Sequence, residues 1–255
     1  MKGDNLKQEI RWLLEEKYEG ERTAEAKRDI ARLKKGEHVD YLIGRVDFLG
    51  CKIDLSRRPL IPRPETEYWV EQAIGELQRY KIQNTRYKIH VLDMFAGSGC
   101  IGVAVLKQIP ETEVDFVEKE KKFVKQIQIN LDLNKIGQKR YRIFESDVFS
   151  NVSRKYHFIL ANPPYIAESK KSKIQASVIE NEPSKALFGG KDGLLYTTRF
   201  LKDAKKYLKK EGKVYMEFDS FQKGSINNLL KAFEYKAWNF YKDQYENWRY
   251  VVISL

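Results

Sequence analysis

From residue 88 onward, short apolar runs alternate with segments of helical period, and this alternation constrains the fold more than any other feature of the chain. Ile89–Met94 reads as a strand and Ile101–Gln108 as a helix; Glu113–Glu118 is the next strand and Lys119–Asn134 the next helix. Tyr141–Ser146 and Phe158–Ala161 add two strands, and a long loop follows. A helix near Leu194–Leu208, a strand at Lys213–Phe218 and a helix at Gln222–Phe233 continue the series. Strands joined by helices predict a mostly parallel sheet covered on both faces. Ala237–Tyr241 and Tyr250–Leu255 have no helix between them, so they predict a C-terminal antiparallel hairpin. The fold class is therefore α/β and Rossmann-like.

The first 64 residues follow other rules. Leu6, Ile10, Leu13 and Leu14 share one helical face, and Ile30 with Leu33 begins a second helix. Gly20 and Thr23 mark the break, with Thr23 as N-cap, and Gly36 is the stop. Tyr41, Ile43, Val46, Phe48 and Ile53, with Gly44 and Gly50 between them, predict short strands and a turn. Pro64, Glu65 and Glu67 suit the first turn of a helix. The expected division is a short helical segment over residues 1–38, a β-hairpin linker over 39–64 and a Rossmann-like domain over 65–255.

Composition narrows the setting. Of the 255 residues, 42% are hydrophobic, enough for a real core. No apolar run approaches the roughly 20 residues that span a bilayer. Met1–Asn5 opens a charged stretch without the apolar region of a signal peptide. Cys51 and Cys100 form no disulfide framework, so a reducing cytoplasm is expected. A monomer with no membrane partner is the accompanying expectation. The net charge is +11, yet residues 1–50 hold 11 basic and 11 acidic side chains, so the excess lies beyond them. A basic surface of this kind could draw nucleic acid or an acidic protein, or be no more than a solvated lysine face such as Lys205–Lys213.

Two motifs carry chemistry. In Val91–Gly102 a strand runs through Asp93 into Phe95-Ala96-Gly97-Ser98-Gly99 and then a helix. Gly97 and Gly99 permit positive φ and close backbone approach, and the helix start offers free amides. Gly97, Gly99 and Gly102 match a dinucleotide fingerprint, which alone is weak. Glu118, about twenty residues on, can accept both hydroxyls of an adenosine ribose, a feature shared by NAD and S-adenosylmethionine sites. Asp93 tilts the choice: it would repel a pyrophosphate and welcome the ammonium of S-adenosylmethionine. Asp147 can accept from an adenine amine, with Val148 or Phe149 walling the ring. No metal is expected, because His38, His90 and His157 form no evident cluster.

The second motif, Asn162-Pro163-Pro164-Tyr165, ends the fourth strand. Two prolines stop the strand and stiffen the corner. Ligands of such sheets bind at the carboxyl ends of strands, so this corner faces the glycine loop. An amide or exocyclic amine nitrogen is a poor nucleophile because its lone pair is delocalised. The Asn162 side-chain oxygen and the Pro163 carbonyl can each accept one N–H, which orients the nitrogen for in-line methyl transfer. Tyr165 offers an aromatic face to a planar amide or base. Asn162–Tyr165 are the candidate catalytic residues. Asp93, Phe95–Gly99, Glu118, Asp147, Val148 and Asn162 are the candidate cofactor residues.

With these motifs in place, residues 39 to 255 resemble the HemK/PrmC family, the N5-glutamine methyltransferases of class I peptide chain release factors. The resemblance lies in Tyr41–Gly44, Leu60–Glu67, the glycine loop, Asn162–Tyr165, Asn181–Pro183 and Ala186–Gly193. It implies a class I S-adenosylmethionine-dependent methyltransferase acting on the glutamine of the Gly-Gly-Gln loop of release factors, and so on translation termination. It also implies that Asn162, Pro163 and Tyr165 hold the glutamine amide, and that Glu65, Thr66 and Glu67 lie in a segment folding over the cofactor. The chain departs from the family in its short helical region before Tyr41, in Phe95-Ala96, and in Glu118 where an aspartate is commoner. The alternatives are N6-adenine methylation of RNA or DNA, an NAD-linked oxidoreductase, and a non-catalytic cofactor-binding partner. The oxidoreductase leaves Asp93 and Asn162–Tyr165 without purpose; the basic excess favours the adenine reading slightly, while Pro62–Glu67 and the absence of a recognisable nucleic-acid module oppose it.

Overall fold

A computed structural model describes residues 2–84, 88–174 and 176–255. Helices α1 (Lys2–Tyr18), α2 (Ala24–Lys34) and α3 (Val39–Ile43) come first. Their side chains Leu13, Leu33, Val39 and Leu42 form a small hydrophobic cluster of their own. Thr23 caps α2 by accepting from the Ala26 N–H. Beside this cluster the Asp29 carboxylate takes Lys17, Tyr18 and Arg32 at 2.6–2.9 Å.

Tyr41–Ile43 corrects the sequence reading: it is helix, not strand. His38 accepts from the Asp40 N–H at the start of α3, and Gly44 ends it at φ 90°. Val39 and Leu42 share a helical face into the N-terminal cluster, and that burial overrides the alternation of Tyr41 and Ile43. The hairpin then begins, β1 (Arg45–Phe48) pairing antiparallel with β2 (Cys51–Asp54). Leu49 and Gly50 both have positive φ, the geometry that a two-residue hairpin turn demands.

Helix α4 (Pro64–Gln83) starts with Pro64 in its first turn. It buries Thr66, Trp69, Val70, Ala73, Ile74 and Leu77, one stripe at helical spacing. The main sheet follows: β3 (Ile89–Met94), α5 (Cys100–Gln108), β4 (Thr112–Glu118), α6 (Lys121–Leu133), β5 (Tyr141–Glu145) and β6 (Tyr156–Ala161). Short helices α7 (Ala176–Asn181) and α8 (Ser184–Leu187) lead to α9 (Leu195–Ala204), β7 (Leu208–Glu217), α10 (Lys223–Ala232), β8 (Ala237–Lys242) and β9 (Trp248–Ser254). Strand β7 starts five residues before the expected Lys213, and α9 ends at Ala204 instead of Leu208. Lys210 and Glu211, exposed near the start of β7, hide the strand from a hydrophobicity pattern, and the β6–β7 register is irregular there.

The seven strands lie in the order β5-β4-β3-β6-β7-β9-β8. The first five are parallel, and β9 runs antiparallel to both of its neighbours. Two cores flank this sheet. One includes Trp69, Val103, Phe116 and Ile127, with the hairpin residues Phe48 and Ile53; the other includes Met94, Ile159, Phe200 and Phe218. The chain runs outward from β3 to β5 and then returns to β6 on the other side of β3. This switch of direction opens a crevice at the carboxyl ends of β3 and β6. No helix among the described residues is long and apolar enough to cross a membrane.

Candidate active site

The cleft lies at that switch point. Its walls come from Leu60–Arg63 and Thr66, from Phe95–Ser98, from Glu118, from Asp147 and Val148, and from Asn162 and Pro164. Tyr196 and Ala186 close it from the far side. Residues on seven different segments thus meet in one place. Phe95 and Val148 hold φ 63° and 55°, a left-handed conformation that costs a bulky or β-branched residue energy. Both stand in the cleft wall.

The glycine loop is tied down from beneath. Asp93, fully buried, accepts the Gly102 N–H at 2.8 Å, and its Oδ1 has no partner. Burial pushes this carboxyl well above the usual aspartate range, with the nearby Glu118 charge adding to the effect. Asp93 does not line the cleft; it lies under the loop, where it fixes the start of α5. Gly99 also faces away. A Cβ there would meet Ile127 at 3.2 Å, so this position excludes side chains through its φ of 79° and the helix α6 behind it. The close approach expected from both glycines falls to Gly97, at which an added Cβ meets only the Phe95 carbonyl oxygen at 3.9 Å.

Glu118 is nearly buried and lines the cleft. Its Oε2 accepts the Gly97 N–H at 2.9 Å and its Oε1 the Glu120 N–H at 2.8 Å. Burial raises its pKa, and these backbone donors hold part of that rise back. Each carboxylate oxygen keeps a lone pair for a hydroxyl. Asp147 reaches the cleft, but its oxygens already accept from Lys119 at 3.3 Å and Arg199 at 3.1 Å. Partial burial pushes its pKa up, and these two cations outweigh that and hold it below the usual range. The residues fit S-adenosylmethionine: an open glycine, a ribose-matched carboxylate and apolar walls from Ile101, Val117 and Val148.

Opposite the loop stands the Asn162–Tyr165 corner. Asn162 and Pro164 line the cleft; Pro163 is buried and Tyr165 is half-buried behind them. The Tyr165 hydroxyl donates to Glu217 Oε1 at 3.0 Å. Burial and the Glu217 charge push this phenol well above its usual range, so it stays protonated. The Asn162 amide donates to Thr66 Oγ1 at 3.4 Å. Among the residues that sequence reasoning missed, Glu217 has the most partners here, since Thr66 Oγ1 and Trp69 Nε1 both donate to its Oε2 at 2.7 Å. The available signal was an acidic residue inside an apolar strand.

The other shared segments close around this corner. Glu182, buried, pairs with Arg63 and accepts the Ile61 N–H at 3.3 Å, which binds the Asn181–Pro183 segment to Leu60–Glu67. Gly193 backs onto the Tyr165 carbonyl so closely that no Cβ fits. Glu67 does not reach the cleft; it accepts the Leu49 N–H in the hairpin turn. His90 and His157 do come together, with rings 5.7 Å apart, and the His90 N–H donates to His157. They sit at the starts of β3 and β6, away from the cleft. No group among the described residues could hold a metal.

The sheet order and the cleft define a Rossmann-like methyltransferase domain. Residues 79–192 match the family model described as the methyltransferase small domain. A release factor glutamine methyltransferase of Thermodesulfovibrio yellowstonii is 40% identical over 200 residues, covering 78% of this chain and 69% of that one. Another, from Streptococcus pneumoniae, is 35% identical over 219 residues, covering 85% and 74%. The chain belongs to the family of release factor glutamine methyltransferases. Among solved structures, a methyltransferase of Pyrococcus furiosus superposes with a TM-score of 0.55 at 17% identity, covering 88% of this chain and 95% of that one. The N-terminal domain of human METTL16, solved with SAH, gives 0.56 at 17%, covering 81% and 76%. At such identity these two share the fold.

Proposed function

We propose that the protein transfers a methyl group from S-adenosylmethionine to the side-chain amide nitrogen of the glutamine in the Gly-Gly-Gln motif of class I release factors. One observation carries the reading: the Asn162–Tyr165 corner and the Gly97–Glu118 wall face one another across a single cleft. Family membership names the glutamine.

In this reading Phe95–Gly97, Glu118 and Val148 hold the cofactor, with Glu118 accepting the ribose hydroxyls. S-adenosylmethionine, when bound, supplies an electrophilic methyl on a positively charged sulfur. Asn162 Oδ1 and the Pro163 carbonyl each accept one N–H of the target amide, which draws its lone pair out of conjugation. Tyr165 stacks against the amide plane. It does not act as a base, because its proton is committed to Glu217. The target nitrogen sheds its proton to solvent, and the cleft supplies orientation instead of proton abstraction. The enzyme is taken to work as a cytoplasmic monomer without need of nucleic acid; both cysteines are buried and free, as in a reducing compartment.

The test is transfer of labelled methyl to a purified release factor, beside its Gly-Gly-Ala variant and total RNA. Label on the wild-type factor alone is expected. Label on RNA and none on the factor would move the chain to adenine methylation. Asn162→Ala is expected to lower kcat by at least roughly 100-fold while cofactor binding survives. Loss of cofactor binding in a folded Asn162→Ala variant would remove Asn162 from the target side.

A further inference from the structure

We infer that Glu217 and Thr66 are positioning residues that decide which end of the Asn162 side-chain amide faces the cleft. The inference rests on the proposed function, in which Asn162 must present an acceptor.

The two ends of an asparagine amide have the same shape and differ in hydrogen bonding alone. With its NH₂ turned into the cleft, Asn162 would oppose donors to the donors of the target amide. Something must therefore hold the NH₂ back. Thr66 is the group that does so, because the Asn162 Nδ2 lies 3.4 Å from its Oγ1. A threonine hydroxyl can donate or accept, so by itself it is indifferent. Glu217 removes that freedom.

Glu217 Oε2 lies 2.7 Å from Trp69 Nε1 and 2.7 Å from Thr66 Oγ1. An indole N–H only donates. Oε2 is therefore an acceptor, whether Glu217 is ionised or carries a proton on Oε1. The single hydroxyl proton of Thr66 is spent on Oε2, which leaves Oγ1 only as an acceptor. An acceptor at that place selects the Nδ2 end of Asn162, and Oδ1 remains for the cleft. The chain of polarity runs from Trp69 through Glu217 and Thr66 to Asn162. The other oxygen of Glu217 accepts from Tyr165, so one carboxylate orients two of the three residues that meet the target.

The fold delivers these groups without adjustment. Thr66 and Trp69 are three apart on α4 and share its buried face. Ala161 pairs with Met216 across β6 and β7, which puts Asn162 beside Glu217. Glu217 is 1% exposed, and a buried carboxylate is a costly way to fill space. Its three side-chain donors are Thr66, Trp69 and Tyr165, two of which belong to the site.

The experiment compares Thr66→Val, Thr66→Ser and Glu217→Gln by steady-state methyl transfer to a release factor, with calorimetric cofactor affinity and thermal unfolding alongside. Valine keeps the shape of Thr66 and deletes the polarity. Its kcat is expected to fall roughly 10- to 100-fold, as for a lost hydrogen bond in the transition state. Its KM for the factor and its cofactor affinity are expected to stay within about threefold. Serine restores the hydroxyl and is expected to bring kcat back to within about threefold of wild type. Glutamine at 217 can keep its oxygen toward Trp69 and Thr66 while Tyr165 turns to accept, so it is expected to lose less than valine at 66. Thr66→Val turning over like wild type, with Asn162→Ala inactive, overturns the inference and leaves the proposed function standing. So does failure of serine to recover kcat, or a valine variant whose cofactor affinity falls together with kcat. Wild-type turnover in Asn162→Ala, or no transfer to the factor at all, removes the proposed function instead.

Discussion

Gly97 in the loop and Gly102 in the helix that follows it are expected to fail in different ways when changed to alanine, and the difference can be worked from their surroundings. At Gly102 an added Cβ would run into Cε1 of Phe116, its nearest neighbour, and sit 2.6 Å from Cζ of that ring and 3.0 Å from Asp93 Oδ2. Carbon atoms need about 3.5 Å, so α5 or the Phe116 ring must give by more than about 1 Å. An overlap of this size takes the upper part of the overpacking cost, about 2–3 kcal/mol, offset by ~0.5–1 kcal/mol from alanine in a helix. The net loss is about 1–2.5 kcal/mol, which for a chain of this size lowers Tm by roughly 2–10 °C. Gly97→Ala meets open space, and its φ of 55° costs ~1–2 kcal/mol, offset by ~0.4–1 kcal/mol from the stiffer unfolded chain. Its methyl enters the cleft wall, so the larger effect is expected on cofactor affinity, by at least about tenfold. Thermal unfolding and titration calorimetry with S-adenosylmethionine separate the two. A Gly102→Ala protein whose Tm moves by less than about 1 °C would refute the packing argument. A Gly97→Ala protein that binds the cofactor at wild-type strength would refute the placement of Gly97 in the wall.

Two further outcomes follow from buried polar groups. The Asp93 carboxyl titrates above its ordinary value near 3.8, chiefly through burial. A raised carboxyl contributes stability that is complete below the unfolded pKa and is lost as pH rises through the folded one. Asp93→Asn cannot ionise, so its urea midpoint relative to wild type is expected to climb from pH 4 to pH 8; a relative decline over that range would show the sign to be wrong. Asn130 is fully buried, accepts the Asp54 N–H at 2.7 Å and donates to the Ser98 carbonyl at 2.8 Å. Asn130→Asp keeps the shape and removes the donor, and it is expected to cost about 2–4 kcal/mol in urea unfolding through the unsatisfied carbonyl and a buried charge. An effect below about 0.5 kcal/mol would mean that hairpin and glycine loop do not depend on this amide.

Periodicity made the sheet readable because burial repeats locally: apolar runs such as Ile89–Met94 and Phe158–Ala161 are central strands covered on both sides. The Asn162–Tyr165 corner was readable for a related reason, since prolines stop a strand wherever they fall. Partners distant in sequence were not. The amide ladder of Gln126 and Asn130 on α6, with Asn134 capping its end, binds the backbone of β2 from Lys52 to Asp54, and only the fold brings them within reach. Its trace in the sequence is three amides at intervals of four on the buried side of a helix. Tyr41–Ile43 misled for the opposite reason, because alternation over three residues fits a strand as well as one turn of helix.

The same distinction separates the groups that meet substrate from the groups that aim them. Groups that meet substrate sit in contiguous motifs, because a loop at a strand end must carry its chemistry in consecutive residues. Groups that aim them are single polar residues inside apolar elements: Asp93 in β3, Thr66 on the buried face of α4, Glu217 at the end of β7. Each is costly where it stands, and each finds its partner more than five residues away, at Gly102, at Asn162 and at Tyr165 respectively. A buried polar residue with no local reason for its place therefore points to a distant group that needs orienting. Asp93, Thr66 and Glu217 converge in this way on the two sides of one cleft.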